Sequence, residues 1–260
     1  YAASFNGHID VVKLLLENGA DITVADNDGW TPVYAASFDG HIDVVKLLLE
    51  NGANITIVDN EGVTPVNAAS LNGHVEVVKL LLENGADITV ADNDGWTPVY
   101  AASFNGHVEV VKLLLENGAN ITVVDNEGVT PVNAASLNGH VEVVKLLLEN
   151  EADITVGDND GWTPVYAASD RGHVEVVKLL LENGADITVA DNEGVMPVNA
   201  ASFNGHVEVV KLLLENGADI MVGDNDGWTP VYAASFNGHA DVAKLLLENG
   251  ADITVADNNG

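Results

Sequence analysis

Residues 26–58 read DNDGWTPVYAASFDGHIDVVKLLLENGANITIV, and close copies of this stretch follow one another every 33 residues. The stretch opens with a turn cluster, 26–29, whose Asp and Asn side chains can bond to the nearby backbone. Thr31 and Pro32 then predict the start of a helix, because Thr is a good N-cap and Pro suits the first helical position. A short first helix is expected over 33–37, and Gly40 interrupts it.

A second helix is predicted from His41 to Glu50, with apolar side chains on most of its circumference. Such a helix is expected to lie between neighbours on several sides. Gly52 is expected in the left-handed conformation that ends a helix, and residues 53–58 are expected to lead on as an extended segment. Two short helices cannot bury their apolar faces alone, so the repeats are expected to be stable only as a stack.

The repeat runs through the whole chain of 260 residues, with no linker or shift in composition. The sequence therefore predicts an all-α solenoid of helix–turn–helix repeats joined by hairpin-like loops, with about eight repeats in a single array. A second period of 66 residues overlies the first, because Trp30 and Tyr34 of one repeat become Val63 and Asn67 of the next. Duplication of a two-repeat block explains this alternation. The expected repeats are 1–25 (partial), 26–58, 59–91, 92–124, 125–157, 158–190, 191–223, 224–256 and 257–260, the last being the start of a further one.

The turn, Thr-Pro, Gly-His and Gly-Ala-Asp elements together resemble the ankyrin repeat, whose pattern runs D-x-x-G-x-T-P-L-H-x-A-A-x-x-G-H, then an apolar helix and L-L-L-x-x-G-A-D. The resemblance covers essentially the whole chain, and the near-identical repeats are similar in style to the arrays of fungal NOD-like receptors. It implies L-shaped helix–helix–loop units, a non-catalytic role in binding a protein on the concave side, and a cytoplasmic location.

The chain departs from the ankyrin pattern systematically after the Thr-Pro pair. Where the family has Thr-Pro-Leu-His, this sequence has Thr-Pro-Val-Tyr or Thr-Pro-Val-Asn. The hydrogen bonds that the family His makes between adjacent turns therefore need a substitute. The candidates are the amides of Asn67, Asn133 and Asn199 and the hydroxyls of Tyr34, Tyr100, Tyr166 and Tyr232.

The charge balance limits the class of partner. Forty acidic and nine basic residues give a formal net charge of −31, so nucleic acid and anionic membrane surfaces would be repelled. The acidity has two interpretations, which are general solubility and a basic protein partner. No apolar run approaches the roughly 20 residues of a membrane helix. The absence of cysteine excludes disulfides and thiolate metal sites.

The resemblance also implies where a partner would be contacted, namely at the turn tip, after the turn Gly and at the end of the first helix. Trp is enriched among interface hot spots, but each Trp could equally pack on the neighbouring turn and Tyr. The candidate residues are Trp30, Trp96, Trp162 and Trp228; Asp28, Asp94, Asp160 and Asp226; Phe38, Phe104, Phe203 and Phe236; and Asp170 and Arg171.

One repeat is irregular. Glu151 replaces the Gly that ends the second helix, which is expected to cost about 1 kcal/mol, and Asp170-Arg171 replaces the Phe or Leu, with the Asn or Asp after it, that other repeats have. Neutral drift is one interpretation, and a partner-specific patch formed by Glu151, Asp170 and Arg171 is the other. Irregular residues elsewhere, such as Met196 and Met221, argue against a purely designed scaffold.

No catalytic, metal or cofactor site is expected. The eight histidines occur once per repeat, after a Gly, and ligands spaced in single file cannot converge on one ion, so they are expected to form structural hydrogen bonds. The DNDG turn lacks the acidic residues that a calcium loop needs at its two ends. The alternatives to partner binding are a spacer, an engineered scaffold, or an array that stacks head to tail through uncapped ends.

Overall fold

The structure, a computed structural model, describes residues 1–254. Expectations for 255–256 and for 257–260 fall outside the described residues. Within 1–254 there are sixteen α-helices in eight pairs and no strand, and equivalent helices recur every 33 residues. The predicted all-α fold of repeated helix pairs is confirmed.

The chain divides into two compact units, residues 1–126 and 127–260. The first holds four helix pairs, which are α1 Ala2–Phe5, α2 Ile9–Glu17, α3 Pro32–Phe38, α4 Ile42–Glu50, α5 Pro65–Leu71, α6 Val75–Glu83, α7 Pro98–Phe104 and α8 Val108–Glu116. The second holds, in its described part, α9 Pro131–Leu137, α10 Val141–Glu149, α11 Pro164–Arg171, α12 Val174–Glu182, α13 Pro197–Phe203, α14 Val207–Glu215, α15 Pro230–Phe236 and α16 Ala240–Glu248.

Each compact unit has two layers of helices. The first helix of each pair contacts the first helices of the adjacent pairs, and the second helices do the same among themselves. The first helices are buried along most of their length. In α3, Val33, Ala35 and Ala36 are fully buried, and the small alanine side chains let neighbouring helices approach closely.

The second helices bury one face and expose the other. In α4, Val44, Val45 and Leu48 are at most 1% exposed, and burying each such side chain contributes roughly 1.5–3 kcal/mol. Leu47 and Leu49 are half-buried and Ile42 is exposed. The helix therefore packs between its neighbours over less of its circumference than the apolar sequence alone suggests.

Local side chains fix where the first helices begin. Thr31 Oγ1 accepts a hydrogen bond from the backbone N–H of Tyr34 at 3.3 Å, and Pro32 occupies the first helical position. The prediction from Thr-Pro is therefore confirmed. Helix α13 is the exception, because Met196 stands at its N-cap and makes no capping bond.

The boundaries of the second helices also follow local signals. Helix α4 begins at Ile42, one residue later than predicted, because His41 is its N-cap. Gly52 has φ of +83°, as expected for the residue that ends this helix.

The segment after the second helix differs from expectation. Residues 53–58 were expected to be extended, but Ile55 and Thr56 form a turn. The Asn54 carboxamide oxygen accepts the backbone N–H of Thr56 at 2.9 Å and its hydroxyl at 2.8 Å. This local Asx-type bonding folds the backbone, which explains why the expectation of an extended segment was wrong.

Candidate protein-binding face

The turns place Asp and Trp side chains at their surface. The Asp26 carboxylate accepts the backbone N–H groups of Asp28 at 3.0 Å and Trp30 at 2.9 Å. The backbone N–H of Asp26 also donates to the carbonyl of Trp30 at 3.1 Å. These bonds close the turn on itself and leave the Asp28 carboxylate exposed and the Trp30 ring half-buried.

The buried side of each Trp ring rests on aromatic neighbours of its own repeat. The ring centroid of Trp30 lies 4.8 Å from that of Tyr34 and 4.8 Å from that of Phe38. The Trp228 ring has the same arrangement, with Tyr232 and Phe236 both at 4.9 Å. Each Trp thus packs on the Tyr of its own repeat, whereas contact of the tryptophans with a partner stays a prediction.

The candidate residues lie on one kind of surface, which we call the turn face. It consists of the turn-tip aspartates, the tryptophans beside them and the residues that end the first helices. The aspartates are exposed and the tryptophans half-buried; Phe38, Phe104 and Asp170 are half-buried, and Phe203, Phe236 and Arg171 are exposed. The turn-face aspartates and tryptophans are Asp28, Asp94, Asp160, Asp226, Trp30, Trp96, Trp162 and Trp228.

Lysine is excluded from the turn face. All eight lysines of the chain lie exposed in second helices. Arg171 is therefore the only cationic side chain, apart from histidine, that the first helices and turns of the described residues carry. The turn face consequently has a negative potential that these lysines, on the other helix layer, do not neutralise at contact distance.

The Asn and Tyr that replace the family His both bond to the following turn. Asn67 Nδ2 donates to the carbonyls of Val90 at 3.2 Å and Trp96 at 3.0 Å. The hydroxyl of Tyr100 donates to the Asp125 carboxylate at 2.7 Å. The expected substitutes are thus used in alternation. In repeats with Val after the turn Gly, an amide donates to backbone oxygens, and in repeats with Trp there, a hydroxyl donates to a carboxylate. The same pattern holds for Asn133 and Asn199, and for Tyr34 and Tyr166.

Burial keeps these tyrosines protonated. It raises the pKa of Tyr34 and of Tyr166 far above the usual value for a phenol, and the hydrogen bonds to Asp59 and Asp191 raise it further. The hydroxyls are therefore hydrogen-bond donors at every physiological pH.

A ladder of turn asparagines was missed by the sequence analysis. Asn60 donates from its backbone N–H to the carbonyl of Asp28 at 3.0 Å and from Nδ2 to the carbonyl of Asn27 at 2.9 Å. Asn93 and Asn126 continue the ladder in the first compact unit. The available signal was the Asn that recurs at this place in every turn.

The histidines are structural, as expected. His41 Nε2 lies 2.9 Å from the carbonyl oxygen of Phe5, at the end of the preceding first helix. Its ring fills the space beside Gly7, where an added Cβ would lie 2.6 Å from Nδ1. Gly7 also has φ of +68°, so the Gly-His pair is needed for both backbone conformation and packing.

The irregular residues Glu151, Asp170 and Arg171 do not all lie together. Asp170 Oδ1 accepts from Asn204 Nδ2 at 2.8 Å, and its Oδ2 lies 3.3 Å from Arg171 Nε. Asp170 lines a cavity of about 520 Å³ on the turn face of the second compact unit, whereas Glu151 and Arg171 do not. Glu151 instead follows α10, with φ of +64°.

Residues 1–254 show neither a metal-binding cluster nor a membrane-spanning helix. They contain no group of three or more His, Asp or Glu side chains placed to hold a metal ion. None of their helices is both long and apolar enough to cross a membrane.

Comparison with known families gives one result that covers the chain. The family model described as ankyrin repeats (3 copies) matches residues 1–92, 57–125, 90–158, 118–191 and 189–257. A search of curated proteins finds no match.

Proposed function

The chain belongs to the ankyrin repeat family, and from this premise we propose that it binds a protein through the turn face and catalyses no reaction. Ankyrin repeats generally mediate protein–protein interaction. The observation that carries the proposal is the repeated Trp, which packs on a Tyr ring in all four copies and on a Phe ring in three of them, and which stays half-buried. An aromatic side chain that is already ordered loses little further freedom on binding.

The proposed partner surface is basic. The turn-face carboxylates lack lysine neighbours, so a basic segment would gain electrostatic complementarity and a faster association rate. A cytoplasmic location is part of the same proposal, on the strength of the family.

The test begins with a displayed library of random 15-residue peptides, selected on the immobilised chain. The affinity of the selected peptides is then measured for a variant with all four tryptophans changed to Val, the residue that the alternate repeats carry at this position, as at Val63. We expect the affinity to fall at least tenfold. Selected peptides that bind this variant as well as the parent chain would overturn the proposal.

The charge contribution is tested with two variants of equal charge. One changes the four turn-tip aspartates to Asn, and the other changes Glu83, Glu116, Glu149 and Glu182 of the second helices to Gln. We expect slower association only for the first variant. Equal effects would mean that net charge acts without regard to the turn face.

Self-association is the second candidate function. In α2 the apolar side chains of Ile9, Val11, Leu14 and Leu15 are 39–59% exposed, which a second copy could cover. Sedimentation velocity from micromolar to hundreds of micromolar would show a rising mass if copies stack. A constant monomer mass would exclude this candidate.

A further inference from the structure

The cavity of about 520 Å³ on the turn face of the second compact unit has aromatic and acidic walls. Trp162, Phe203 and Trp228 contribute aromatic surface, and Asp160, Glu193 and Asp226 contribute carboxylates. Its volume lies within the range of ordinary ligand sites. It is therefore large enough to enclose a side chain of a partner.

The cavity contains the position where one aromatic side chain is replaced. In the repeats of Trp30, Trp96 and Trp228, a Phe ring packs on the Trp at 4.8–4.9 Å. At the equivalent position Asp170 replaces this Phe. Trp162 therefore lacks the Phe contact and keeps the contact to Tyr166, with ring centroids 4.8 Å apart. The Asp170 carboxylate is held by Asn204 and Arg171, which leaves the place of the missing ring open.

Three carboxylates of the cavity walls have no cationic partner in the part of the chain that the structure describes, unlike Asp170, which pairs with Arg171. Among the described residues, no Lys, Arg or His nitrogen lies within 4.0 Å of a carboxylate oxygen of Asp160, Glu193 or Asp226. Three such carboxylates around one cavity repel one another, and a bound cation would reverse the sign of that interaction.

A buried acceptor also lies in the cavity wall. Asn199 is 3% exposed and lines the cavity. Its Nδ2 donates to the carbonyl of Trp228 at 2.9 Å, but its Oδ1 accepts no hydrogen bond within the described structure. Asn67 and Asn133 share this unpaired oxygen. The unpaired oxygen is therefore common to the repeats that carry Asn at this position and is not specific to the cavity.

We propose that this cavity binds an arginine side chain of the partner, an inference that rests on the proposed protein-binding function. A guanidinium stacks on an indole face and donates in a planar fork to carboxylates. It carries five N–H donors for the several acceptors around one cavity. A lysine ammonium has three donors and no plane to stack, so it satisfies fewer of these groups.

The test uses three blocked peptides, acetyl-Gly-Arg-Gly-amide and its lysine and citrulline counterparts. Citrulline has the shape of arginine without its charge. Binding is followed by the NMR shift of the Trp162 indole N–H, assigned with a Trp162→Phe variant. We expect the arginine peptide to bind at least tenfold more tightly than either counterpart. Equal affinities, or no shift of Trp162 with arginine, would overturn the proposal.

Asp170→Phe provides the matched variant, because Phe is the residue of the other Trp-containing repeats and is expected to fold there. It should fill the cavity and abolish the Trp162 shift while the urea midpoint is kept. A charge control compares two triple variants. The first combines Asp160→Asn, Glu193→Gln and Asp226→Asn, and the second combines Glu149→Gln, Glu182→Gln and Glu215→Gln. Only the first set should weaken binding by tenfold or more; equal loss in both sets would refute a local site.

The two proposals fail separately. If peptides selected from the library depend on the turn-face tryptophans but the arginine peptide does not bind, the cavity proposal alone is wrong. In the opposite case, the arginine peptide shifts the Trp162 indole N–H signal, but the library peptides bind the variant without tryptophans as well as they bind the parent chain. The proposed protein-binding face is then wrong, and the cavity remains a site for a small arginine-containing ligand.

Discussion

Glu151 shows how one residue can strain a repeat whose other copies are relaxed. It is the one non-glycine residue with positive φ among residues 1–254, at a position where other repeats have Gly. At Gly52 and Gly184 an added Cβ would meet nothing within 4 Å. The cost at Glu151 is therefore one of backbone conformation rather than of packing.

Glu151→Gly should raise the free energy of unfolding by about 1 kcal/mol, because Gly adopts the left-handed conformation without strain. Urea denaturation followed by circular dichroism measures the change. The reciprocal Gly184→Glu should lower stability by a similar amount. If neither variant changed the free energy of unfolding, the backbone of Glu151 would not be strained.

Asp92 should make stability depend on pH. Burial raises the pKa of its carboxyl above the usual value, so the folded state holds this proton more tightly than the unfolded state does. The ionised carboxylate thus lowers stability at pH 7, and this penalty vanishes as the pH falls through the folded and then the unfolded pKa, about 3.9. Asp92→Asn should stabilise the protein at pH 7, by an amount that shrinks toward pH 4.

The control for this experiment is Asp87→Asn. Hydrogen bonds from the Thr89 hydroxyl and backbone lower the pKa of Asp87, so its charged form favours folding above the unfolded pKa. The variant should be slightly less stable at pH 7, and Asn54 shows that Asn makes the same bonds. Urea unfolding at pH 4.5 and 7 measures the change in the free energy of unfolding for both variants. A change of the same sign for Asp92→Asn and Asp87→Asn at pH 7 would contradict the opposite pKa shifts.

At the scale of helices, a missing cap distinguishes α13 from its equivalents. Met196→Thr should restore the bond that Thr64 and Thr130 make to the third helical N–H at 3.2 Å, and raise the free energy of unfolding by about 1 kcal/mol. Thr130→Met should lower it similarly. If Met196→Thr destabilises, the packing of the methionine, which is 8% exposed, outweighs the cap.

Helix positions could be predicted closely because their signals are local. Thr31-Pro32 and Gly52 each act within a few residues, so the predicted limits of α3 and α4 differ from the observed ones by one residue. The turn at Ile55 and Thr56 escaped prediction because it depends on a hydrogen bond that Asn54 Oδ1 accepts from the Thr56 N–H, which hydrophobic periodicity does not reveal.

The candidate site was less predictable because it depends on neighbours distant in sequence. Asp170 stood out as irregular, but the cavity that it lines is formed together with Trp162, Phe203 and Trp228, which lie up to 66 residues apart in the sequence. The two interpretations of Trp could not be separated from sequence, since one side chain can both pack on a Tyr ring and stay half-exposed, as the structure shows for Trp30.

At the scale of the whole molecule, a net charge of −31 should make stability sensitive to salt. Like charges repel most in the compact state, and raising sodium chloride from 10 to 150 mM shortens the screening length from about 30 to about 8 Å. The free energy of unfolding should therefore increase over this range. A decrease would indicate that attractive ion pairs dominate, contrary to the few found in residues 1–254.

The alternation of Trp-Tyr and Val-Asn repeats has a consequence for how such an array can change its copy number. Gain or loss of two repeats keeps each bulky indole next to a repeat that carries Val, as Trp162 and Trp228 flank Val195 in one cavity. Gain or loss of one repeat would place two indoles, or two valines, in adjacent turns. Recombination within the gene is therefore expected to leave functional alleles that differ by even numbers of repeats.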